Sequence, residues 1–263
     1  MKKSKKYALM ITLEVIFGTS VGYFGGQLYD YISEQISINN EKKKFEGIDD
    51  IMLKSKDGRV LTLEKYKNPI SVTISNFNEK EKQDVIDAVN RLDEISDTLN
   101  YTIIENANYN LTANINISKG AVANEDAVGI TEYHYNGNYK ITYPINIIIN
   151  EKDFIDTETL PDFLRPAVEK LYEKKLGRVV KHELMHTLGF ADLRSEEHKD
   201  QTLMWYNIEG YNEIYDYTER DIANIKKLYD NILVDVHYPK HMQYVYIDSS
   251  TKEQSTEENE LLQ

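Results

Sequence analysis

The chain has 263 residues, enough for one fair-sized domain with extensions or for two small ones. It has no cysteine, which excludes disulfides and thiolate metal sites and fits either the cytosol or a bacterial type of export that does without disulfides. The net charge of −13 argues against nucleic acid as a partner, because phosphate binding needs clustered Lys and Arg, and it reads as solubility.

The N-terminus departs from the rest. "MKKSKKYALMITLEVIFGTSVGYFGGQ" opens with four lysines and continues into a mostly apolar run over 7–26. That layout predicts an export signal or a membrane anchor over 1–26. Glu14 inside the run costs roughly 2–3 kcal/mol at mid-bilayer, so an amphipathic first helix on a cytosolic protein is the other reading. Residues 27–66 are polar and charged, with "NNEKKKFEGIDD" in the middle, and read as a spacer or a short pro-segment.

From Pro69 the pattern becomes orderly. "PISVTISNF" alternates Ile70, Val72 and Ile74, at strand period. Asn78 stands three residues before Glu81 as a cap and capping-box acid, and Val85, Val89, Leu92, Ile95 and Leu99 follow at helical spacing, predicting a helix over 79–99. Shorter strands are expected over 101–109, in "LTANINI" (Leu111, Ala113, Ile115, Ile117) and over 128–135, "VGITEYHY". "YNGNY" supplies an Asn-Gly turn before the strand 139–150, where Pro144 predicts a break or bulge. "INIIIN" is continuously apolar, as in a strand covered on both faces. Two helical stretches follow, one through Phe163, Val168, Leu171 and Tyr172, the other from Leu176 to Leu188, with Gly189 as its C-terminal stop. Thr218 and Asp221 cap a last helix, "TERDIANIKKLYD". The tail 236–263 is an extension whose acidic end is expected to be disordered, leaving 67–235 as the main folded domain.

The chemistry lies in "HELMHTLGFAD". Four residues apart on a helix, His182 and His186 share one face and present two imidazoles to a point, at a spacing suited to zinc. Glu183 beside them suits a general base and acid acting on the attacking water. Two histidines are too few for a catalytic zinc. Gly189 can take a left-handed conformation and turn the chain so that Asp192 returns to the metal, although Glu196, Glu197 or His198 are other sources of a third ligand. His134, His237 and His241 carry no partner spacing.

HExxHxxGxx followed by a third ligand resembles the metzincin clan of zinc metallopeptidases. Most of that clan ends the motif in His; Asp192 is similar to the snapalysin-type variant. "QTLMWY" supplies Met204, twelve residues after Asp192, where metzincins carry a methionine-containing turn. Tyr206 follows at the offset at which astacin-like and serralysin-like members bring a tyrosine to the metal or the oxyanion, and the resemblance implies a catalytic role for it. The order of elements, "LTANINI" and "TERDIANIKKLYD" resemble the matrixin-like branch over about 69–230. The Asp- and Gly-rich pattern of matrixin structural metal sites is missing.

The resemblance implies an α+β, metzincin-like zincin fold: a twisted mixed sheet with an antiparallel edge strand, an active-site helix, a Met-turn and a C-terminal helix. It implies Zn2+ as cofactor, held by His182, His186 and Asp192, with Glu183 catalytic. The activity implied is endopeptidase action on a protein or peptide substrate, and the edge strand "VGITEYHY" would take substrate backbone. Rival readings are a non-catalytic binding protein of the same fold, or a zinc amidase acting on cell-wall amides. A monomer is expected, exported and either extracellular or anchored at the cell surface, touching a membrane only through the N-terminal segment. Asp in place of His leaves the site at +1 rather than +2, a weaker Lewis acid, so activity is expected at higher pH than in an Asp192→His variant.

Overall fold

Alternation of apolar and polar residues builds the sheet, and the helices cover it. The computed structural model describes residues 39–40, 43–64, 69–104, 113–123, 126–154, 157, 160–205 and 214–233. The N-terminal apolar run, Leu111, Tyr206, His237, His241 and the acidic tail lie outside the described residues.

The strands are β1 (Thr62–Leu63), β2 (Ile70–Ser75), β3 (Tyr101–Ile103), β4 (Ile115–Gly120), β5 (Gly129–Tyr135) and β6 (Lys140–Asn150). The helices are α1 (Glu79–Asp93), α2 (Arg165–Thr187) and α3 (Glu219–Lys226). All six strands form one sheet, in the order β1-β6-β4-β2-β3 with β5 added against β6. Every neighbouring pair is parallel except β5–β6. β4 pairs with β6 from Ile115↔Ile145 to Gly120↔Asn150 while β5 pairs with the same stretch from Gly129↔Ile149, so β4 and β5 flank β6 on opposite sides.

Period-2 side chains put Ile70 and Val72, Ile115 and Ile117, and Ile141, Ile145, Ile147 and Ile149 into the core, against Val85, Ala88, Val89 and Leu92 of α1 and Leu176, Val180 and Leu184 of α2. "INIIIN" is therefore buried mainly on one face, with Ile148 only partly covered on the other. The irregularity expected at Pro144 is present as a register shift between Glu132 and His134 in the β5–β6 ladder, while β6 itself runs through.

Both helix starts read from sequence carry their caps. The Asn78 side chain accepts from the Glu81 N–H and Glu81 answers the Asn78 N–H; Thr218 and Asp221 do the same for α3. α1 stops at Asp93, short of 99, yet Ile95 and Leu99 stay buried in the turns that follow. α3 passes into a π-helical turn over Lys227–Ile232.

Two sequence expectations are corrected. The helical stretches expected around Phe163–Tyr172 and Leu176–Leu188 are one helix, α2, running unbroken through Gly177. Its first half makes little core contact, so the sequence there lacks an apolar period. Part of the stretch read as a spacer is also folded: Phe45, Ile48, Ile51, Met52, Val60, Leu61 and Leu63 are buried in the same core. Their polar neighbours, Lys54, Lys56, Asp57 and Arg59, dilute the apolar signal, and the folded unit reaches N-terminally past residue 67.

Candidate metal centre

The C-terminal end of α2 carries the site. Leu176, Val180, Leu184 and Met185 anchor this half of the helix in the core, which leaves His182 and His186 on a face turned outward from it. Gly189 ends the helix with φ +96. The Gly189 N–H donates to the His186 carbonyl at 3.0 Å and the Phe190 N–H to the Met185 carbonyl at 3.2 Å, the two bonds of a Schellman cap. A Cβ on Gly189 would stand 2.3 Å from the Leu61 carbonyl oxygen, so close approach as well as positive φ requires glycine there.

The chain then returns. Ala191 N–H donates to the Ile51 carbonyl at 2.9 Å and Leu193 N–H to the Met204 carbonyl at 2.9 Å, which fixes the backbone on both sides of Asp192. Its carboxylate oxygen Oδ1 lies 3.1 Å from His182 Nε2 and 3.4 Å from His186 Nε2. The three ligand atoms lie within 4.8 Å of one another. Ligands on a tetrahedral zinc at its usual bond lengths stand roughly 3.3 Å apart, which the two separations from Asp192 match.

The other ring nitrogens decide the tautomers. His182 Nδ1 lies 3.0 Å from the Leu203 carbonyl oxygen and His186 Nδ1 lies 2.8 Å from the Phe190 carbonyl oxygen. A carbonyl only accepts, so each Nδ1 carries the hydrogen and each Nε2 presents a lone pair. Two lone pairs and a carboxylate oxygen around one small volume need a cation among them, a proton or a metal ion. Backbone carbonyls orienting ligand imidazoles through Nδ1 are the usual support of a metal site. The residues therefore fit a zinc ion.

In the metal-free chain the same charges favour a proton there. Burial pulls the His186 imidazolium down, but the hydrogen bond to Asp192 and the charges of Glu183 and Asp192 outweigh it and raise its pKa above 6.5. Burial pushes the Asp192 carboxyl up, but hydrogen bonds and charge from His182 and His186 hold it well below the ordinary carboxylate range.

Glu183 is buried, 5% exposed, between α2 and β5. The Thr131 hydroxyl on β5 donates to Glu183 Oε2 at 2.7 Å. A Cβ on Gly129 would meet Glu183 Oε1 at 3.0 Å and Val179 Cγ1 at 2.9 Å, so glycine lets the strand close on the helix. The base candidate is thus held by the edge strand, a contact that sequence did not suggest. The only signal for it is that Gly129 and Thr131, two apart on a strand, share one face.

Met204 is 2% exposed and belongs to the core. Its turn is tied to α3 through Asp221, buried at 1%, which accepts from Thr202 Oγ1 at 2.5 Å and from the Leu203 N–H at 2.9 Å while capping α3. The alternative third ligands stand apart from the cluster. His198 Nδ1 faces the Arg220 guanidinium at 3.1 Å and its Nε2 faces Glu197 at 3.5 Å. Glu196 and Glu197 are exposed, and neither belongs to the converging group among the described residues. His134 is exposed on β5. The loop between His198 and Thr218 lies partly outside the described residues, at 206–213.

No family model and no curated protein matches the sequence. Among solved structures, one of myroilysin is similar at a TM-score of 0.40 and 13% identity, over 64% of this chain and 95% of that one. A second structure of myroilysin is similar at 0.42 and 11% identity, over 70% of this chain and 92% of that one. A likeness at this level carries no functional argument, and the site stands on its own geometry.

Proposed function

We propose that the chain is a zinc-dependent endopeptidase with a metzincin-type fold. The observation that carries this reading is the convergence of His182 Nε2, His186 Nε2 and Asp192 Oδ1 beside the buried carboxylate of Glu183. His182, His186 and Asp192 hold the ion. Zinc, when bound, supplies a Lewis acid that makes water acidic near neutral pH and polarises a carbonyl.

The chain's own residues do the rest. Glu183 takes a proton from the attacking water and returns it to the leaving amine. Thr131 donates to Glu183 Oε2, and Oε1 lies against Gly129 on the same strand, so β5 holds the base. Among the described residues β5 pairs with the sheet along β6 only, so its outer edge offers backbone groups to an extended peptide, and Thr131 brings that edge to the base. Met204 supports the ligands as the packed floor of a Met-turn. Tyr206 is proposed as a further catalytic contact on the resemblance alone. The apolar N-terminal run is proposed to export the chain, as a cleaved signal or a retained anchor, and the chain to act as a monomer; among the described residues no helix is long and apolar enough to cross a membrane.

The test is zinc content by elemental analysis together with cleavage of casein or a peptide mixture by the wild type and by Glu183→Gln. One zinc per chain in both proteins is expected, with kcat/KM lowered about 10²–10⁴-fold in the variant. Zinc in both with cleavage in neither overturns the peptidase reading and turns the search to non-peptide amides or binding.

A further inference from the structure

Segment 43–64 does more than pad the core. Residues 52–61 form a small hairpin, with Lys54 bridged to Val60 and the Leu61 N–H donating to the Leu53 carbonyl at 2.8 Å. Its outer arm pairs with the loop that carries Asp192. The Leu53 N–H donates to the Gly189 carbonyl at 2.7 Å, the Ala191 N–H to the Ile51 carbonyl at 2.9 Å, and Met52 bridges Phe190 in antiparallel sense. Phe190 is the residue whose carbonyl faces His186 Nδ1. The inner arm places the Leu61 carbonyl against Gly189, where no side chain fits. A buried hydroxyl closes the arrangement: Tyr229 donates to the Leu188 carbonyl at 2.8 Å and receives the Leu63 N–H at 3.3 Å.

Two backbone bonds and one steric stop thus set the path from His186 to Asp192, and all come from a segment more than 120 residues earlier in the chain. We infer that residues 43–64 are a strap that holds Asp192, and with it His186, in the ligand position. This rests on the reading of Asp192 as a zinc ligand. The consequence concerns regulation. A pro-segment is removed to open a site, whereas removal of this strap dismantles the ligand set. Any activating cleavage of the chain falls before residue 43, and a cut inside 43–64 inactivates.

Leu53→Pro in the full chain deletes the donor to Gly189 and trims a leucine packed against the core, while Met52 already has the extended backbone (φ −96, ψ 148) that a following proline requires. The comparison variant is Val89→Ala, a cavity in α1 remote from the loop. Zinc dissociation constants come from chelator competition, cobalt(II) spectra report the coordination, and thermal unfolding reports stability. The expected result is an affinity loss of about 10–100-fold with an altered cobalt spectrum in Leu53→Pro. Val89→Ala is expected to lose thermal stability and keep both. Equal affinities in the two variants overturn the strap; a wild type that binds no zinc overturns the underlying zinc reading instead.

Amide exchange of the wild type with and without zinc decides the matter if Leu53→Pro fails to fold. Coupling is reciprocal, so zinc is expected to slow exchange at Leu53 and Ala191 more than at Val89. Slowing at Ala191 with none at Leu53 contradicts the strap.

Discussion

The two halves of α2 are one continuous helix and two different environments. In the first half Phe163, just ahead of the helix, is 81% exposed and Leu171 is 55% exposed. Many charges there meet at the surface, as in Lys80–Glu169 at 3.4 Å and Arg165–Asp162 at 3.0 Å. In the second half Leu176, Val180 and Leu184 are buried, and both histidines are oriented by carbonyls from outside the helix. The difference lies in what surrounds each half. β5 and the returning loop 189–205 meet the second half, through Thr131, Phe190 and Leu203; α1 meets the first through Lys80. Local helix propensity extends the helix outward, while tertiary contacts make one end of it a site.

The sharpest way to break the comparison is to damage the second half from a distance. Asp221→Ala touches no ligand, but it strands the Thr202 hydroxyl, the Leu203 N–H and the Thr218 N–H in a buried place. A loss of about 2–4 kcal/mol is expected by denaturant unfolding. Zinc affinity should fall by up to about tenfold with it, because the Leu203 carbonyl orients His182. Full stability with unchanged zinc binding would show that the turn holds itself.

A smaller effect separates the metal-free and zinc-loaded proteins by pH. The His186 pKa is raised above 6.5, so its contribution is complete below 6.5 and is lost as pH climbs through the raised value. The Asp192 pKa is lowered from 3.8, so its contribution is present above 3.8 and is lost only as pH falls through the depressed value. The chelated protein should therefore lose stability on the alkaline side of 6.5. The zinc-loaded protein should gain there, because the metal competes with that same proton. Melting curves against pH with and without chelator check the opposite slopes; parallel slopes would place the imidazoles elsewhere.

Changes in the first half should be the smallest. Lys80→Ala and Leu171→Ser are each expected to stay within about 0.5 kcal/mol by denaturant melts, with zinc content unchanged. A larger loss from Leu171→Ser would mean that this exposed face is covered in solution.

What could be seen in the sequence follows the same division. Ligand spacing, the Gly189 stop and the two capping boxes are local rules, so the grouping of His182, Glu183 and His186 and the starts of α1 and α3 were legible in the sequence. Asp192 came from the same run, and the structure brings it to the histidines. The strap was not legible. Its seven buried apolar residues stand among charges, and it joins the site through backbone bonds, which have no residue signature. The same holds for the Leu203 and Phe190 carbonyls and for Thr131, whose role depends on β5 lying against α2. The unbroken α2 was misread because half of it has no core to face.

Anomalous scattering at the zinc edge from crystals of the wild type bears most directly on the central claim. The account predicts one strong peak, about 2.0–2.2 Å from His182 Nε2, His186 Nε2 and an Asp192 carboxylate oxygen, beside Glu183. A peak with Asp192 turned away and another side chain as third ligand, or no peak in zinc-supplemented crystals, would contradict it.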